Sequence, residues 1–217
     1  MYGTIIDWES GIVDALRPVF SAHGAAFDPA RVLEAFAGVE SAIEAGPYLR
    51  YRVVLARVLD GLGARFGFEP SDDERATFGG SVAAWVPFSD SAAALARLKG
   101  DYKLGILTNC DDDLAAASIA KLGVAFDWII TAQQVGSYKP SRRNFEALLK
   151  GTGLPRERIM HVAQSLFHDH VPAKELGFTT VWVNRRHAKP GGGATVPAQA
   201  KPDYEVPDLA SLVALVT

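Results

Sequence analysis

Four short apolar runs in the second half of the chain constrain the fold more than any other feature of the sequence. They cover residues 104–107, 128–130, 159–162 and 181–183. Each run has the length of a buried strand, and the segments between the runs have helical spacing. Short buried strands that alternate with helices are typical of a parallel sheet covered on both faces. The sequence therefore predicts an α/β fold for this half of the chain.

The earlier part of the chain, from about residue 10 to residue 80, has helical periodicity throughout. Asp28 and Pro29 have the residue types of an N-cap and a first helical position. Ser71 and Glu74 have the spacing of a capping box. Pro18 lies inside the first helical stretch and lacks a backbone donor, so we expect a kink or an early end of the helix there. This part of the chain is predicted to be a run of helices.

Polar residues follow the predicted strands at the points where those strands end. Thr108 and Asn109 follow the first apolar run, and Lys139 comes a short loop after the second. Ser165 and Asp169 follow the third run. Because right-handed crossovers place the carboxyl ends of parallel strands along one edge, these residues can converge. Ligands bind at that edge in open sheets of this kind, so we expect a site there.

These residue types suit the handling of a negatively charged group. A lysine such as Lys139 can keep a carboxylate nucleophile ionised, and the hydroxyl of Thr108 and amide of Asn109 can bind anionic oxygens. An ordinary surface lysine and an N-cap at Asn109 are the alternatives. His168 is a candidate base, since histidine titrates near neutral pH. His168 and His170 would not share a helix face, which disfavours a metal site.

Composition limits the partners and the location of the protein. The chain has 217 residues and a formal net charge of -3, which gives no long-range attraction for nucleic acid or for an anionic membrane. No apolar run is long enough to span a bilayer. The single cysteine, Cys110, excludes an intramolecular disulfide and fits a reducing compartment. We therefore expect a cytoplasmic protein without nucleic-acid or membrane partners.

The order of the motifs along the chain resembles a known family. Four motifs occur in this order: Tyr2-Gly3-Thr4, Thr108-Asn109, Lys139-Pro140 and Asp169. This ordered set resembles the haloacid dehalogenase superfamily of hydrolases, and in particular its type II 2-haloacid dehalogenase branch. The resemblance implies a Rossmann-like parallel-sheet core formed by residues 1–9 and 88–217. It also implies a helical cap, residues 10–87, that is inserted into this core and closes over the active site.

The resemblance makes a further statement about the start of the core. In the type II branch the opening motif is Asp-x-Tyr-Gly-Thr, and its Asp is the covalent nucleophile. Met1 occupies the x position, so the nucleophile and the first, central strand are expected before Met1. Burial of such a strand would contribute roughly 10 kcal/mol, at ~1.5–3 kcal/mol for each apolar side chain. We therefore expect Met1 to be an internal methionine of a longer natural protein.

Roles for individual residues also follow from the resemblance. Three residues are expected to be catalytic: Lys139, Asp169 and Thr4. Seven are expected to bind substrate: Tyr2, Gly3, Thr108, Asn109, Ser165, Arg50 and Arg52. The two arginines are the candidates for a carboxylate clamp on the cap, because a guanidinium group binds a carboxylate with two hydrogen bonds. A solvated helix face is the alternative for them.

Three functions fit the sequence, each with a small anionic substrate. Phosphatases of the superfamily have an opening motif that resembles Asp-x-Asp-Gly-Thr. They hold magnesium through a further acidic residue in a later motif. Tyr2 and Gln164 take these two places here, which should weaken a Mg²⁺ site. A 2-haloacid dehalogenase that needs no cofactor is therefore favoured. A magnesium-dependent phosphatase acting on a small phosphomonoester is the first alternative.

The second alternative is a non-catalytic relative that binds a small anion. It is motivated by Gln164 and Leu166, which replace the Ser and Asn of the last dehalogenase motif, and by Phe145 in place of a tyrosine. The sequence leaves the natural substrate and a homodimeric assembly open.

Overall fold

The fold consists of a helical section followed by alternating strands and helices, and the computed structural model describes residues 1–188 and 191–217. The helical section contains α1 (Trp8–Ala22), α2 (Pro29–Glu44), α3 (Tyr51–Phe66), α4 (Asp72–Gly80) and the 3-10 turn Ser81–Ala84. The next elements are α5 (Ser91–Asp101), β1 (Gly105–Thr108), α6 (Asp112–Ala120), β2 (Trp128–Thr131), α7 (Ala132–Val135), α8 (Arg142–Thr152) and the 3-10 turn Arg156–Arg158. The last are β3 (Met160–Ala163), the π-helical turn Leu166–His170, α9 (Val171–Glu175), β4 (Thr179–Val183), β5 (Tyr204–Val206) and α10 (Leu209–Val216). No helix in the described ranges is both long and apolar enough to cross a membrane.

Local sequence signals fix where the helices of the first section begin. The Asp28 carboxylate accepts hydrogen bonds from the first turn of α2, and Pro29 is the first helical residue, as predicted. Ser71 and Glu74 form both bonds of the predicted capping box at α4. These bonds satisfy backbone N–H groups that have no partner within the helix itself.

The expected early end of the first helix at Pro18 is wrong. Helix α1 continues through Pro18 to Ala22. Leu16 and Phe20 lie on either side of the proline and are fully buried. Burial of a large apolar side chain contributes roughly 1.5–3 kcal/mol, which offsets the hydrogen bond that the proline removes.

The strands form two parallel ladders, as the alternation of strands and helices predicted. β1 pairs with β2 in the register Gly105↔Trp128, and β3, β4 and β5 form a second ladder in that order. Within the described ranges the two ladders share no strand pairing. β5 was not predicted, because it has only three residues and two of them are exposed. The α/β fold class is confirmed.

The carboxyl ends of β1 and β3 and the first residues of the chain lie at the same edge. β1 ends at Thr108 and β3 at Ala163. Thr4 is tied to the residue after β3, because the Gln164 backbone N–H donates to Thr4 Oγ1 at 3.0 Å. The convergence expected from the topology is therefore present.

The helical section is attached to this edge through a buried carboxylate. Asp111, in the loop after β1, is fully buried and accepts hydrogen bonds from the backbone N–H groups of Tyr51, at 2.9 Å, and Arg52, at 3.2 Å. Those two residues begin α3, so Asp111 acts as a cap supplied from a distant part of the chain. The contact holds the start of α3 over the carboxyl ends of the strands.

Candidate active site

A small pocket lies where the carboxyl ends of β1 and β3 meet helices α2 and α3. It encloses about 50 Å³. Six of the predicted site residues line it: Tyr2, Thr108, Asn109, Lys139, Ser165 and Asp169. Four do not: Gly3, Thr4, Arg50 and Arg52. The structure thus gathers residues from four separate places in the sequence around one cavity.

A buried ion pair between Lys139 and Asp169 forms the floor of the pocket. Lys139 Nζ lies 2.7 Å from Asp169 Oδ1 and donates to the Leu107 carbonyl at 3.0 Å. His161 Nε2 lies 2.8 Å from the same Asp169 oxygen. Burial by itself would raise the pKa of Asp169, but the Lys139 ammonium and His161 hold it well below its usual range. Asp169 is therefore a fixed negative charge that orients Lys139.

The Asn109 side chain holds the backbone of Lys139 in place. Its Oδ1 accepts from the Lys139 backbone N–H at 2.7 Å, and its Nδ2 donates to the Lys139 carbonyl at 3.0 Å. The same Nδ2 donates to Glu44 Oε2 at 3.1 Å. These bonds occupy the amide, so the geometry gives Asn109 a positioning role and leaves little of its side chain for substrate.

Tyr2 and Cys110 form a pair at the edge of the pocket that is unsuited to acid–base or nucleophilic work. The Tyr2 hydroxyl lies 3.3 Å from Cys110 Sγ and 3.2 Å from Ser118 Oγ. Burial, with the neighbouring thiol, raises the pKa of Tyr2 well above its usual range. Burial also raises the pKa of Cys110 to about 12. Both groups therefore stay protonated near neutral pH, and Tyr2 lines the pocket.

Gly3 and Thr4 lie outside the pocket lining, and the catalytic role of Thr4 stays a prediction. The Thr4 hydroxyl oxygen accepts from the Gln164 backbone, which joins the first loop to the end of β3. Gly3 has a φ of 75°, and a Cβ atom there would lie 2.9 Å from Gln164 Oε1. Only glycine adopts this conformation at low cost in so narrow a space. In this geometry the two residues brace the site.

The expected carboxylate clamp of Arg50 and Arg52 is not formed by this geometry. Both arginine side chains pair with Asp113 on the surface, and Arg50 also donates to Gln133 at 3.2 Å. Their side chains are 48% and 38% exposed. Because Asp111 binds the backbone at the start of α3, the side chains that follow are turned toward Asp113 and away from the cavity.

Ser165 and His168 form a hydrogen-bonded turn after β3. Ser165 Oγ accepts from the His168 backbone N–H at 3.0 Å and lies 3.1 Å from His168 Nδ1. Burial lowers the pKa of His168 to about 4. The imidazole is therefore neutral at neutral pH and weakly basic, and its role as a base stays a prediction.

Two buried glutamates on α2 complete the pocket and were not predicted. Glu40 and Glu44 both line the cavity, and the Tyr51 hydroxyl donates to Glu40 Oε1 at 2.6 Å. Burial raises the pKa of Glu40 to about 7. Burial and then the neighbouring Glu40 raise the pKa of Glu44 well above its usual range. A sequence signal existed, since both glutamates follow Phe36 at intervals of four residues and so share the apolar stripe of α2.

Several groups of the pocket that could bind a magnesium ion are engaged by the protein. Asp169 already binds Lys139 and His161, and the oxygen of Gln164 accepts from the Thr195 hydroxyl at 3.3 Å. A hard cation prefers free carboxylates and water. Within residues 1–188 and 191–217, no three His, Cys, Asp or Glu side chains are grouped so as to hold a metal ion.

Comparison with known proteins agrees with the fold and the motifs. Residues 1–166 match the family model described as haloacid dehalogenase-like hydrolase. An (S)-2-haloacid dehalogenase from Pseudomonas fluorescens is 26% identical over 219 residues, covering 98% of this chain and 92% of that protein. The pyrimidine 5'-nucleotidase YjjG of Escherichia coli is 26% identical over 126 residues, covering 57% of this chain and 56% of that protein.

A solved structure shares the whole architecture. The L-2-haloacid dehalogenase from Xanthobacter autotrophicus superimposes with a TM-score of 0.82 at 23% sequence identity. The alignment covers 99% of this chain and 95% of that one. At this level of identity the likeness establishes a shared fold.

Proposed function

Since this chain belongs to the haloacid dehalogenase-like hydrolases, we propose that it hydrolyses the carbon–halogen bond of a small 2-haloacid. The buried pair of Lys139 and Asp169 at the pocket carries the proposal. An ammonium group held in this way keeps a carboxylate nucleophile ionised and steadies negative charge as the reaction proceeds. The haloacid dehalogenase that aligns with almost the whole chain supports the same reaction.

In the proposed reaction an aspartate carboxylate, expected directly before Met1, attacks the carbon that bears the halogen. A bond forms between a carboxylate oxygen and that carbon, and the halide leaves with the electron pair of the broken bond. Water then attacks the carbonyl carbon of the ester, the 2-hydroxy acid leaves, and one proton is released as the aspartate ionises again. Met1 lines the pocket beside Lys139, so a residue joined to its nitrogen would begin at the cavity.

The proposal includes several features that accompany this reaction. Residues 10–87 act as a cap over a core formed by residues 1–9 and 88–217, and the cap keeps water from the reacting carbon until the ester has formed. No metal ion is required. The protein works in a reducing cytoplasm, which suits its single buried Cys110. A homodimer without nucleic-acid partners is the proposed assembly.

A phosphatase acting on a small phosphomonoester is the second candidate. The alignment with a pyrimidine 5'-nucleotidase over 57% of the chain favours it. The chemistry of the pocket argues against it, because Tyr2 stands where the phosphatases carry their acid–base Asp and Gln164 is a neutral side chain.

Halide release tests the proposal. The protein is expressed from its gene with whatever coding sequence precedes Met1, and chloride release from 2-chloropropionate is measured with and without EDTA. We expect release that is insensitive to EDTA and that falls at least ~100-fold in the variant Lys139→Met, as is usual when a group that stabilises developing charge is lost. Lys150→Met, a change of an exposed lysine on α8, is the control.

Two results would contradict the dehalogenase proposal. Phosphate release that requires Mg²⁺, without chloride release, would establish the phosphatase instead. Binding of small carboxylates without either product would favour the anion-binding relative.

A further inference from the structure

Most of the polar groups in the pocket that would usually hold a carboxylate are already engaged by the protein. Lys139 Nζ binds Asp169 and the Leu107 carbonyl. The Asn109 amide binds the Lys139 backbone and Glu44. Arg50 and Arg52 lie outside the lining. The proposed function assigns the third N–H donor of Lys139 to the nucleophilic carboxylate. A substrate carboxylate therefore needs other donors.

Two unpartnered donors face the cavity. Thr108 Oγ1 and His168 Nε2 are buried atoms that have no hydrogen-bond partner in the described ranges. The residues are 2% and 8% exposed. Because Ser165 Oγ accepts from the His168 backbone, its hydroxyl proton is free to be donated to His168 Nδ1. We assign Ser165 as the donor in this 3.1 Å contact. The ring proton then lies on Nε2, and the neutral His168 is a donor there. Buried polar groups without a partner are uncommon, so these two groups are available to a ligand that enters the pocket.

Glu44 supplies a third donor. Its side chain is 6% exposed, and within the described ranges its hydrogen bonds engage Oε2 alone, through Asn109. Oε1 is therefore free to carry the proton of the acid form and to donate it. Glu44 Oε2 lies 3.8 Å from His168 Nε2, so the two donors belong to one patch of the wall. A carboxylic acid that donates to a carboxylate makes a short, charge-assisted hydrogen bond.

We propose that Glu44, Thr108 and His168 form an arginine-free receptor that binds the carboxylate of a small acid through uncharged donors. This inference rests on the proposed function and deepens it, since it names the groups that recognise the acid. It also explains why the cap carries buried glutamates where an arginine clamp was expected. The receptor orients the acid so that its second carbon faces the residue joined to Met1.

The receptor makes binding depend on pH. Glu44 is faced by six groups from the elements packed against it: Glu40, Tyr51, Asn109, Tyr138, Lys139 and His168. Loss of a proton from either glutamate removes a donor or puts a negative charge beside the bound carboxylate. Affinity for a carboxylate should therefore fall as the pH rises, whereas affinity for a neutral amide of the same shape should change little.

Calorimetry with an unreactive acid tests the receptor apart from catalysis. Propionate has no halogen and is ionised above pH 6, and propionamide is its neutral counterpart. The protein, expressed from its gene with whatever coding sequence precedes Met1, is titrated with each at pH 6 and pH 9. We expect propionate to bind at least ~10-fold more tightly at pH 6, and propionamide to show no such difference. Each ~1.4 kcal/mol of lost interaction corresponds to a factor of ten, and a hydrogen bond to a charged group is of this size.

Two variants of Glu44 distinguish its role as a hydrogen-bond donor from the effect of its negative charge. Glu44→Gln keeps a donor and cannot ionise, so the pH dependence should shrink while binding at pH 6 persists. Glu44→Leu should weaken propionate binding roughly 10-fold at pH 6. Glu34→Gln, a change of an exposed glutamate on the same helix, should behave as the unaltered protein. Circular dichroism confirms that each variant is folded.

The outcomes distinguish this inference from the proposed function. Equal propionate affinity at both pH values, unchanged binding in Glu44→Leu, or no propionate binding at all would overturn the receptor, whatever the halide assay shows. Propionate binding with the expected pH dependence, but without halide release by the natural-gene protein, would overturn the dehalogenase proposal and leave the receptor as a carboxylate site.

Discussion

The two sides of the pocket differ in how completely their polar atoms are engaged. The core-side cluster of Asn109, Lys139, His161 and Asp169 is linked by hydrogen bonds of 2.7 to 3.0 Å. The cap-side wall of Glu40 and Glu44 is bonded to the protein through one oxygen of each residue. The core side is therefore preorganised before substrate binds. Preorganised groups of this kind stabilise the charge that develops in a transition state. The cap side keeps capacity for a ligand.

Breaking the buried pair on the core side should have the largest effect. Lys139→Met leaves Asp169 as a buried charge without its ammonium partner, so we expect a loss of roughly 3–5 kcal/mol in the free energy of unfolding. Urea unfolding followed by circular dichroism measures it. The exposed Lys150→Met is the matched control and should change the value by less than ~0.5 kcal/mol.

The double variant Lys139→Met with Asp169→Asn tests whether the two charges of the buried pair stabilise the protein together. It removes both charges, so part of the lost stability should return, and the two single changes should be strongly non-additive. Additive losses would mean that the pair is not coupled as the 2.7 Å contact implies.

On the cap side the largest expected effect is a dependence of stability on pH. The pKa of Glu40 is about 7 in the folded protein, above its ordinary value of 4.5. A raised pKa favours the folded state at low pH, and this contribution is lost as the pH rises from about 4.5 through about 7. Since one pKa unit is about 1.4 kcal/mol, the loss is roughly 3 kcal/mol.

Comparison with Glu40→Gln isolates this contribution. Unfolding free energies of the unaltered protein and of the variant are measured from pH 4.5 to pH 8. The difference between them should move in favour of the variant as the pH rises, because glutamine has no proton to lose. Groups that do not contact Glu40 titrate in both proteins and cancel. Glu44 does not, because Glu40 is one cause of its raised pKa, so the Glu44→Gln background is measured as well. A difference that stays constant with pH would show that Glu40 is not protonated in the folded protein.

The residues on the core side of the pocket could be predicted from the sequence, because the strand topology determines where they lie. Thr108, Lys139 and Asp169 each follow an apolar run, and parallel strands deliver such residues to one edge. Their order along the chain also resembled the family motif, which added the roles of the lysine and the aspartate. The strand and helix pattern was readable for the same reason, since buried strands and amphipathic helices have different periods.

The residues on the cap side of the pocket could not be predicted from the sequence. The directions of their side chains depend on contacts with distant parts of the chain. Arg50 and Arg52 were expected in the pocket, but Asp111 binds the start of α3 and sends them to Asp113. Glu40 and Glu44 were missed because charged residues on a helix are usually solvated. Only the packing of α2 against the strand ends shows that these two are buried.

The smallest effect is expected for the arginines that the structure leaves on the surface. Arg52→Ala removes an ion pair with Asp113, whose side chain is 58% exposed, and a 3.6 Å contact with the buried Asp111. Asp111 keeps Arg50 at 3.7 Å, and exposed pairs contribute at most ~1 kcal/mol. The backbone N–H of residue 52 still reaches Asp111, so the start of α3 is retained. Urea unfolding should show a loss below ~1 kcal/mol, and propionate affinity should stay within twofold of the unaltered protein.

Arg57→Ala, farther along α3 and exposed, is the control. A tenfold loss of propionate affinity in Arg52→Ala alone would mean that this arginine turns inward to grip the carboxylate, and the contrast between a preorganised core side and an uncharged cap side would then fail.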